Sequence, residues 1–208
     1  MKKNTIIALG VLTAMSFSCK KEDTIQPVIT LNGNIEQSVA LNGTYSEAGA
    51  TAMDNEDGDI SDKVVISGTV NTNLKGEYRK YYDVQDSEGN KAATATRYVQ
   101  VVNESDYMIG TYQATPTCSG TSTFNTYNTT VTVSEEVNNQ IYIKRVMWLV
   151  EDDPVIAEIN GNVIDIPAQT VGSNTVSGTA TISGSDFLLN VSINGSSSYT
   201  CSIDHIKL

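Results

Sequence analysis

The chain is poor in the residues on which catalysis by soluble enzymes usually rests. One histidine, three cysteines and one tryptophan are spread over 208 residues. No G-x-S-x-G elbow, H-E-x-x-H pair or glycine-rich phosphate loop occurs, so nucleophilic triads, zincin-type hydrolysis and phosphoryl transfer lack their parts. Cations are scarce as well: 13 Lys and Arg stand against 24 Asp and Glu, for a net charge of −11. From Glu104 onward the only ones are Lys144, Arg145 and Lys207. Phosphate-binding surfaces need clustered Lys and Arg that release counterions, so nucleic acid is not an expected partner. After the first 18 residues there is also no apolar run near the roughly 20 residues of a spanning helix, and no segment keeps a helical period.

What is present begins with an export signal over residues 1–18. Lys2 and Lys3 form its positive start, and Thr5 to Ser18 an uncharged, mostly apolar stretch of the expected length. Small residues precede Cys19, and the junction Ser16-Phe17-Ser18-Cys19 resembles a bacterial lipoprotein signal, cut immediately before a cysteine that then carries diacylglycerol. Ser16 and Phe17 depart from the commonest lipobox, but looser forms are usual in Bacteroidetes. The following Lys20-Lys21-Glu22-Asp23 resembles the charged tag that in that phylum accompanies transfer to the outer surface. The resemblance implies lipidation at Cys19, an outer-membrane lipid anchor facing the cell exterior and a tether over residues 19–26. Several acyl chains hold a protein on a membrane almost permanently, at about 0.8 kcal/mol per buried CH₂. The rival is a secreted protein with an incidental cysteine. Asp23-Thr24-Ile25 resembles a short Bacteroidetes O-glycosylation motif, which would place a sugar on Thr24; plain linker is the alternative.

With Cys19 assigned to lipid, Cys118 and Cys201 form an even pair in an exported chain, and a disulfide is expected. They have no CxxC spacing, and His205 alone offers too few partners for zinc or a catalytic cysteine. Two buried free thiols are the alternative.

Short alternating runs rich in Val, Ile, Thr and Tyr recur between turn signals, which is an all-β pattern. The runs are Pro27 to Leu31, Gln37 to Leu41, Gly49 to Met53, Lys63 to Val70, Tyr78 to Asp83 and Ala92 to Val102 in the first half. In the second they are Gly110 to Ala114, Thr129 to Ser134, Gln140 to Val150, Val155 to Asn160, Asn162 to Ile166, Val176 to Ile182, Phe187 to Ile193 and Ser198 to Ile206. A polar break at Val102 to Asp106 divides the chain into domains over 27–103 and 104–208. The first set predicts a sandwich. The second carries Asn160-Gly161 and Asn194-Gly195 between alternating runs, a strong hairpin signal, and predicts a small antiparallel meander that closes as a barrel or folds as a sandwich.

Gly49-Ala50-Thr51-Ala52, Asp57-Gly58-Asp59-Ile60-Ser61, Gly76-Glu77-Tyr78, Tyr82, Asp86 and Gly89-Asn90 together resemble the bacterial Ig-like domain of pesticidal crystal proteins and many surface proteins. The resemblance spans about residues 27–103 and implies a β-sandwich that serves as a spacer or adhesion module and not as an enzyme. Within it, Asp54, Glu56, Asp57 and Asp59 are candidate calcium ligands, because calcium takes six to eight oxygens. The stretch is not an EF-hand, since aligning its glycine with Gly58 puts Met53 and Val64 at ligand positions. Short Asp side chains capping turns explain the same residues. Calcium is the only cofactor the sequence suggests.

Paired carboxylates at Glu135, Glu136, Glu151, Asp152 and Asp153 supply the residue type for glycoside hydrolysis, but turns flanking strands account for them. Binding is the expected work. Tyr127, Tyr142 and Trp148 are the candidate ligand-binding aromatics; the high average burial of large aromatics assigns Trp148 to the core instead. Alternation along Gln140 to Val150 puts Tyr142, Val146, Trp148 and Val150 on one face and Ile141, Ile143, Met147 and Leu149 on the other. Asn162 to Gln169 with Val176-Ser177-Gly178 resembles β-rich domains that follow Ig-like modules in Bacteroidetes surface lipoproteins. Such families resemble accessory lipoproteins of starch-utilisation-type importers, in which a barrel transporter and its lid lipoprotein take up glycans or peptides. The expectation is a non-enzymatic accessory lipoprotein of nutrient uptake, with a glycan or peptide ligand; the rival is a cell-adhesion module.

Overall fold

A computed structural model describes residues 22–120, 124–149 and 152–208. The signal segment and Cys19 lie outside the described residues. Among the described residues all regular structure is strand, apart from two 3-10 turns at Ser61–Lys63 and Asp106–Met108.

The first seven strands make two open sheets. β1 (Val28–Leu31), β3 (Ala50–Asp54) and β4 (Gly58–Asp59) form one, in the order β1-β3-β4. β2 (Glu36–Ala40), β5 (Val65–Ser67), β6 (Gly76–Asp83) and β7 (Ala95–Val102) form the other, in the order β2-β7-β6-β5, with β2 parallel to β7. The buried apolar set is small: Leu41, Ala52, Ile60, Tyr82, Val84, Val99 and Val101. A polar knot supplements it. Arg97 on β7 is fully buried and donates to Glu47 Oε1 and to the Asn32 carbonyl. Tyr82 and Tyr45 each donate a hydroxyl to Glu47 at 2.6 Å, and the Gly49 N–H adds a bond of 2.8 Å. Burial alone would raise the Glu47 pKa, but these hydrogen bonds and the Arg97 charge outweigh it and hold the carboxyl below its usual range.

The remaining eight strands close into a barrel. They are β8 (Gly110–Cys118), β9 (Tyr127–Val133), β10 (Gln140–Ile143), β11 (Val155–Asn160), β12 (Val163–Val171), β13 (Asn174–Ser183), β14 (Asp186–Asn194) and β15 (Ser198–Lys207). Each pairs antiparallel with the next in sequence, and β15 returns to β8. Of the two closures expected, barrel and sandwich, the barrel forms. Cys118 and Cys201 are register partners across the closing seam and form a disulfide.

Alternation decides which side chains point inward. On β14, Phe187, Leu189, Val191 and Ile193 are buried, whereas Leu188, Asn190 and Asn194 face out. Eight strands leave an interior about as wide as side chains can fill, and here Tyr112, Ile141, Ile143, Ile164, Phe187, Leu189 and Ile203 fill it, all almost fully buried. Apolar inside and mostly polar outside is the reverse of a membrane-spanning barrel. His205 is also inside, stacked on Phe187 at 4.2 Å, and burial pulls its pKa down to about 4.

Two sequence features shape the barrel wall. Pro167 cannot donate to a ladder, and the β12–β13 register shifts between Ile166 and Gln169. The Gln169 side chain compensates on the other edge: its amide accepts from Ile156 N–H at 2.9 Å and donates to the Ile156 carbonyl at 2.6 Å. At Gly178 a Cβ would meet the Asn190 carbonyl oxygen at 2.3 Å, so the close β13–β14 approach there requires glycine.

Several expected strands are shortened: Lys63 to Val70 keeps only Val65–Ser67, Ala92 to Val102 starts at Ala95, and the largest change falls in the second half. Gln140 to Val150 reads as continuous alternation, but β10 stops at Ile143 and the chain turns, with Met147 at φ 57°. Val146, Met147 and Leu149 are all buried, and Trp148 is not. The two-face assignment over 144–149 is therefore corrected: the chain leaves the sheet to cover one end of the barrel.

The sheets and the barrel meet through hydrogen bonds. Asn103 is buried; its Nδ2 donates to the Ser134 and Val137 carbonyls at 3.0 Å each, and its Oδ1 accepts from Ser105 and Asn139 N–H. Asn42 reaches across to the Glu136 carbonyl and the Asn138 N–H, and Lys75 pairs with Asp106. β6 and β7 have their Gly76 and Val102 ends at this joint, and so do the Val133 end of β9 and the Gln140 start of β10.

Candidate functional site

Strand direction sorts the remaining features to opposite poles. β9 begins at Tyr127, β10 ends at Ile143 and β15 begins at Ser198, all at the end of the barrel away from the joint. That end carries an aromatic cluster. Phe124 stacks on Trp148 with ring centroids 5.3 Å apart, and Tyr199 stands edge-on to both, at 5.7 Å from Phe124 and 4.9 Å from Trp148. Trp148 remains 42% exposed, which corrects its assignment to the core. A cleft of about 240 Å³ lies beside it, lined by Phe124, Asn125, Thr126, Tyr127, Arg145, Met147 and Trp148.

The cleft walls are held in place from below. The Met147 N–H donates to the Tyr127 hydroxyl oxygen at 2.8 Å, and the Arg145 Nε donates to the Met147 carbonyl at 3.3 Å. The Arg145 guanidinium also lies 5.2 Å from the Tyr127 ring centroid, within cation–π range. Burial pushes the Tyr127 phenol above its ordinary pKa, so it stays protonated at neutral pH. The Cys118–Cys201 bridge joins β8 to β15 two residues from Tyr199. The result is an aromatic face, one cation and amide and hydroxyl groups on one rim of the barrel. The interior is filled by side chains, so the open space at this pole of the barrel is the cleft on the rim.

Of the three aromatics singled out from sequence, Tyr127 and Trp148 meet here and Tyr142 does not. Tyr142 lies on β10 with its hydroxyl donating to Gln140 Oε1 at 3.0 Å. Phe124 and Tyr199, from distant positions, complete the cluster; the only signal for them was their residue type.

The four candidate calcium ligands disperse. Asp57 accepts from Ser87 N–H and Oγ at 2.8 Å each and pairs with Lys63, Asp59 accepts from Ser61 N–H and Oγ, and Glu56 is exposed. A local cap on Ser61 accounts for Asp59, and a bond across to the turn at Ser87 accounts for Asp57. Only Asp54 enters a group of converging carboxylates, and its companions there are Asp23 and Asp86. The segment read as tether touches the folded domain at Asp23, which is 6% exposed and whose carbonyl accepts from Asn90 Nδ2 at 3.0 Å, while Ile25 and Gln26 are exposed. Thr24 is exposed.

No curated protein sequence matches the chain. Among solved structures it is similar to a lipoprotein from Bacteroides thetaiotaomicron, at 18% identity over 88% of this chain and 100% of that one, with a TM-score of 0.37. It is also similar to the CBM51-2 and INT domains of Clostridium perfringens ZmpB, solved in complex with GlcNAc, at 20% identity and a TM-score of 0.32; that match covers 79% of this chain and 29% of the other. Residues 29–101, the part of the chain that forms the two open sheets, match the family model described as "Bacterial surface protein, Ig-like domain".

Proposed function

We propose that the protein is a non-enzymatic, lipid-anchored display protein of the bacterial outer surface, which presents a glycan-binding rim at the tip of its barrel. The observation that carries this reading is the Trp148 cluster: a partly exposed indole braced by Phe124 and Tyr199, at the pole farthest from the Ig-like sheets. Flat aromatic faces bind sugar rings through apolar contact, and Arg145, Asn125 and Thr126 supply the polar groups that orient them. The cleft is small against the roughly 300–1,000 Å³ of ordinary ligand pockets, which suits one terminal sugar unit better than an enclosed ligand. Anchored through acylated Cys19 and spaced by the Ig-like domain, the rim would raise the local concentration of glycan beside an importer made of a barrel transporter and its lid lipoprotein.

Binding of the intact protein to a glycan array tests this, with a peptide panel beside it. Trp148→Ala is expected to lower glycan binding at least tenfold while the barrel stays folded. Peptide binding lost with the same substitution would replace the ligand class, and no binding to either panel would remove the reading. Intact mass of native material tests acylation of Cys19, and co-purification from detergent-solubilised outer membrane tests the importer.

Adhesion through the Ig-like domain is the second reading. It is favoured by a cleft of about 580 Å³ on that domain, lined by Lys63, Val65, Asp83, Val84, Gln85, Lys91, Ala92 and Thr94. Adhesion to host matrix that survives Trp148→Ala would favour it.

A further inference from the structure

At the pole of the Ig-like domain opposite the joint, three carboxylates come together from three separate segments. Asp23 precedes β1, Asp54 ends β3 in one sheet, and Asp86 lies in the turn after β6 of the other. One carboxylate oxygen from each lies within 4.8 Å of those from the other two, and the residues are only 6%, 8% and 7% exposed. Among the described residues no lysine or arginine forms an ion pair with any of them. Asp23 Oδ2 and Asp54 Oδ2 are buried without a hydrogen-bond partner.

Three carboxylates in one buried site repel one another and forfeit their hydration, which is costly unless a positive charge compensates. The opposite oxygens are already committed, in a way that fixes each group. Asp54 Oδ1 accepts from Glu56 and Asp57 N–H at 2.9 and 3.0 Å, Asp86 Oδ1 from Gly89 and Asn90 N–H at 2.7 Å each, and Asp23 Oδ1 from Ile25 N–H at 3.0 Å. Asn90 Nδ2 donates both to Asp86 Oδ2 and to the Asp23 carbonyl. Orphaned, charged oxygens on oriented carboxylates are what a hard divalent cation takes as ligands, and an all-oxygen set without His or Cys selects against zinc and copper. Calcium–oxygen distances of about 2.3–2.6 Å put opposite ligands about 5 Å apart, so three oxygens within 4.8 Å of one another can share one calcium shell; magnesium, which usually takes one or two carboxylates and keeps several waters, suits a three-carboxylate site less.

We propose that Asp23, Asp54 and Asp86 bind a calcium ion, which joins the two sheets of the Ig-like domain and fastens the segment before β1 to its base. Neither part depends on the glycan reading of the barrel rim. The site sets where the free part of the N-terminal segment ends: with calcium bound, everything from Asp23 onward belongs to the folded domain.

The test is calorimetry of the intact protein, stripped with EDTA and titrated with calcium, with magnesium as comparator. The Ig-like transition is expected to rise by several degrees in about 1 mM calcium, the affinity range of extracellular sites, and to respond to magnesium only at much higher concentration. Trp148 fluorescence, which follows the barrel, should not move. Asp54→Asn and Asp86→Asn keep the turn acceptor and remove the charge, so both are expected to fold without calcium and to lose the calcium-dependent rise. Asp23→Asn should lose most of it too, and with it the protection calcium gives against trypsin cleavage after Lys21. A melting profile indifferent to about 10 mM calcium overturns the site. A rise that persists unchanged in Asp23→Asn overturns the fastening.

Discussion

The two halves of the molecule solve the same problem differently. The barrel has no open edge, a continuous apolar interior and a disulfide across its seam. The Ig-like half has two open sheets over a thin apolar layer, and at its centre a buried arginine tied to one glutamate. Packing stabilises the first without regard to pH or ions; the second depends on charges placed correctly. The Ig-like half is therefore the part that should respond to its surroundings, with one exception inside the barrel.

The largest effect should come from cutting the barrel's packing. Phe187 touches Tyr112 and His205 in the closed interior, and Phe187→Ala is expected to cost about 3–5 kcal/mol. Denaturant melts followed by fluorescence isolate this, because the single tryptophan belongs to the barrel. Next is the polar knot: Arg97→Met leaves Glu47 without its cation and should lower the Ig-like transition by about 3 kcal/mol, with the fluorescence transition unchanged. If both transitions fell together, the contrast between the halves would fail.

Acid should separate the halves further. The folded pKa of His205 is depressed from 6.5 to about 4, so its contribution is complete above pH 6.5 and is lost as pH falls towards 4, on the order of 3 kcal/mol. Glu47 is likewise depressed, and its contribution is complete above the unfolded carboxyl range and is lost below about pH 4.5. Fluorescence melts between pH 7 and 4 should show the barrel weakening first, and His205→Phe should flatten that limb. The smallest effect concerns the joint. Asn103→Ala unpairs several buried backbone groups and should cost about 1–3 kcal/mol, seen in calorimetry as two transitions drawing apart.

Much of this architecture was legible beforehand because strands announce themselves locally. Phe187 to Ile193 alternates cleanly, Asn160-Gly161 marks its hairpin with Gly161 at φ 60°, and two spare cysteines in an exported chain imply a bridge. What escaped reading depends on distant partners. The run Gln140 to Val150 keeps alternating although its second half has no strand to pair with beyond Ile143, so period alone could not place Trp148. The three converging aspartates are the clearer case. Asp54 stood in a conspicuous acidic loop and drew its neighbours into the expectation, whereas Asp23 and Asp86 come from segments that only the folded sheets bring together. The segment around Asn103 shows in the sequence only as a polar break, because its hydrogen-bond partners across the joint lie more than thirty residues away.

The seam between β8 and β15 has a temporal side. Strands β8 to β14 can zip hairpin by hairpin as they are made, but β8 must wait for a partner whose cysteine lies 83 residues further along. Until that strand arrives, both ends of the growing sheet stay available for pairing with other chains. Nascent protein is thus most vulnerable to clumping just before its barrel is finished, and chaperone dependence should peak there.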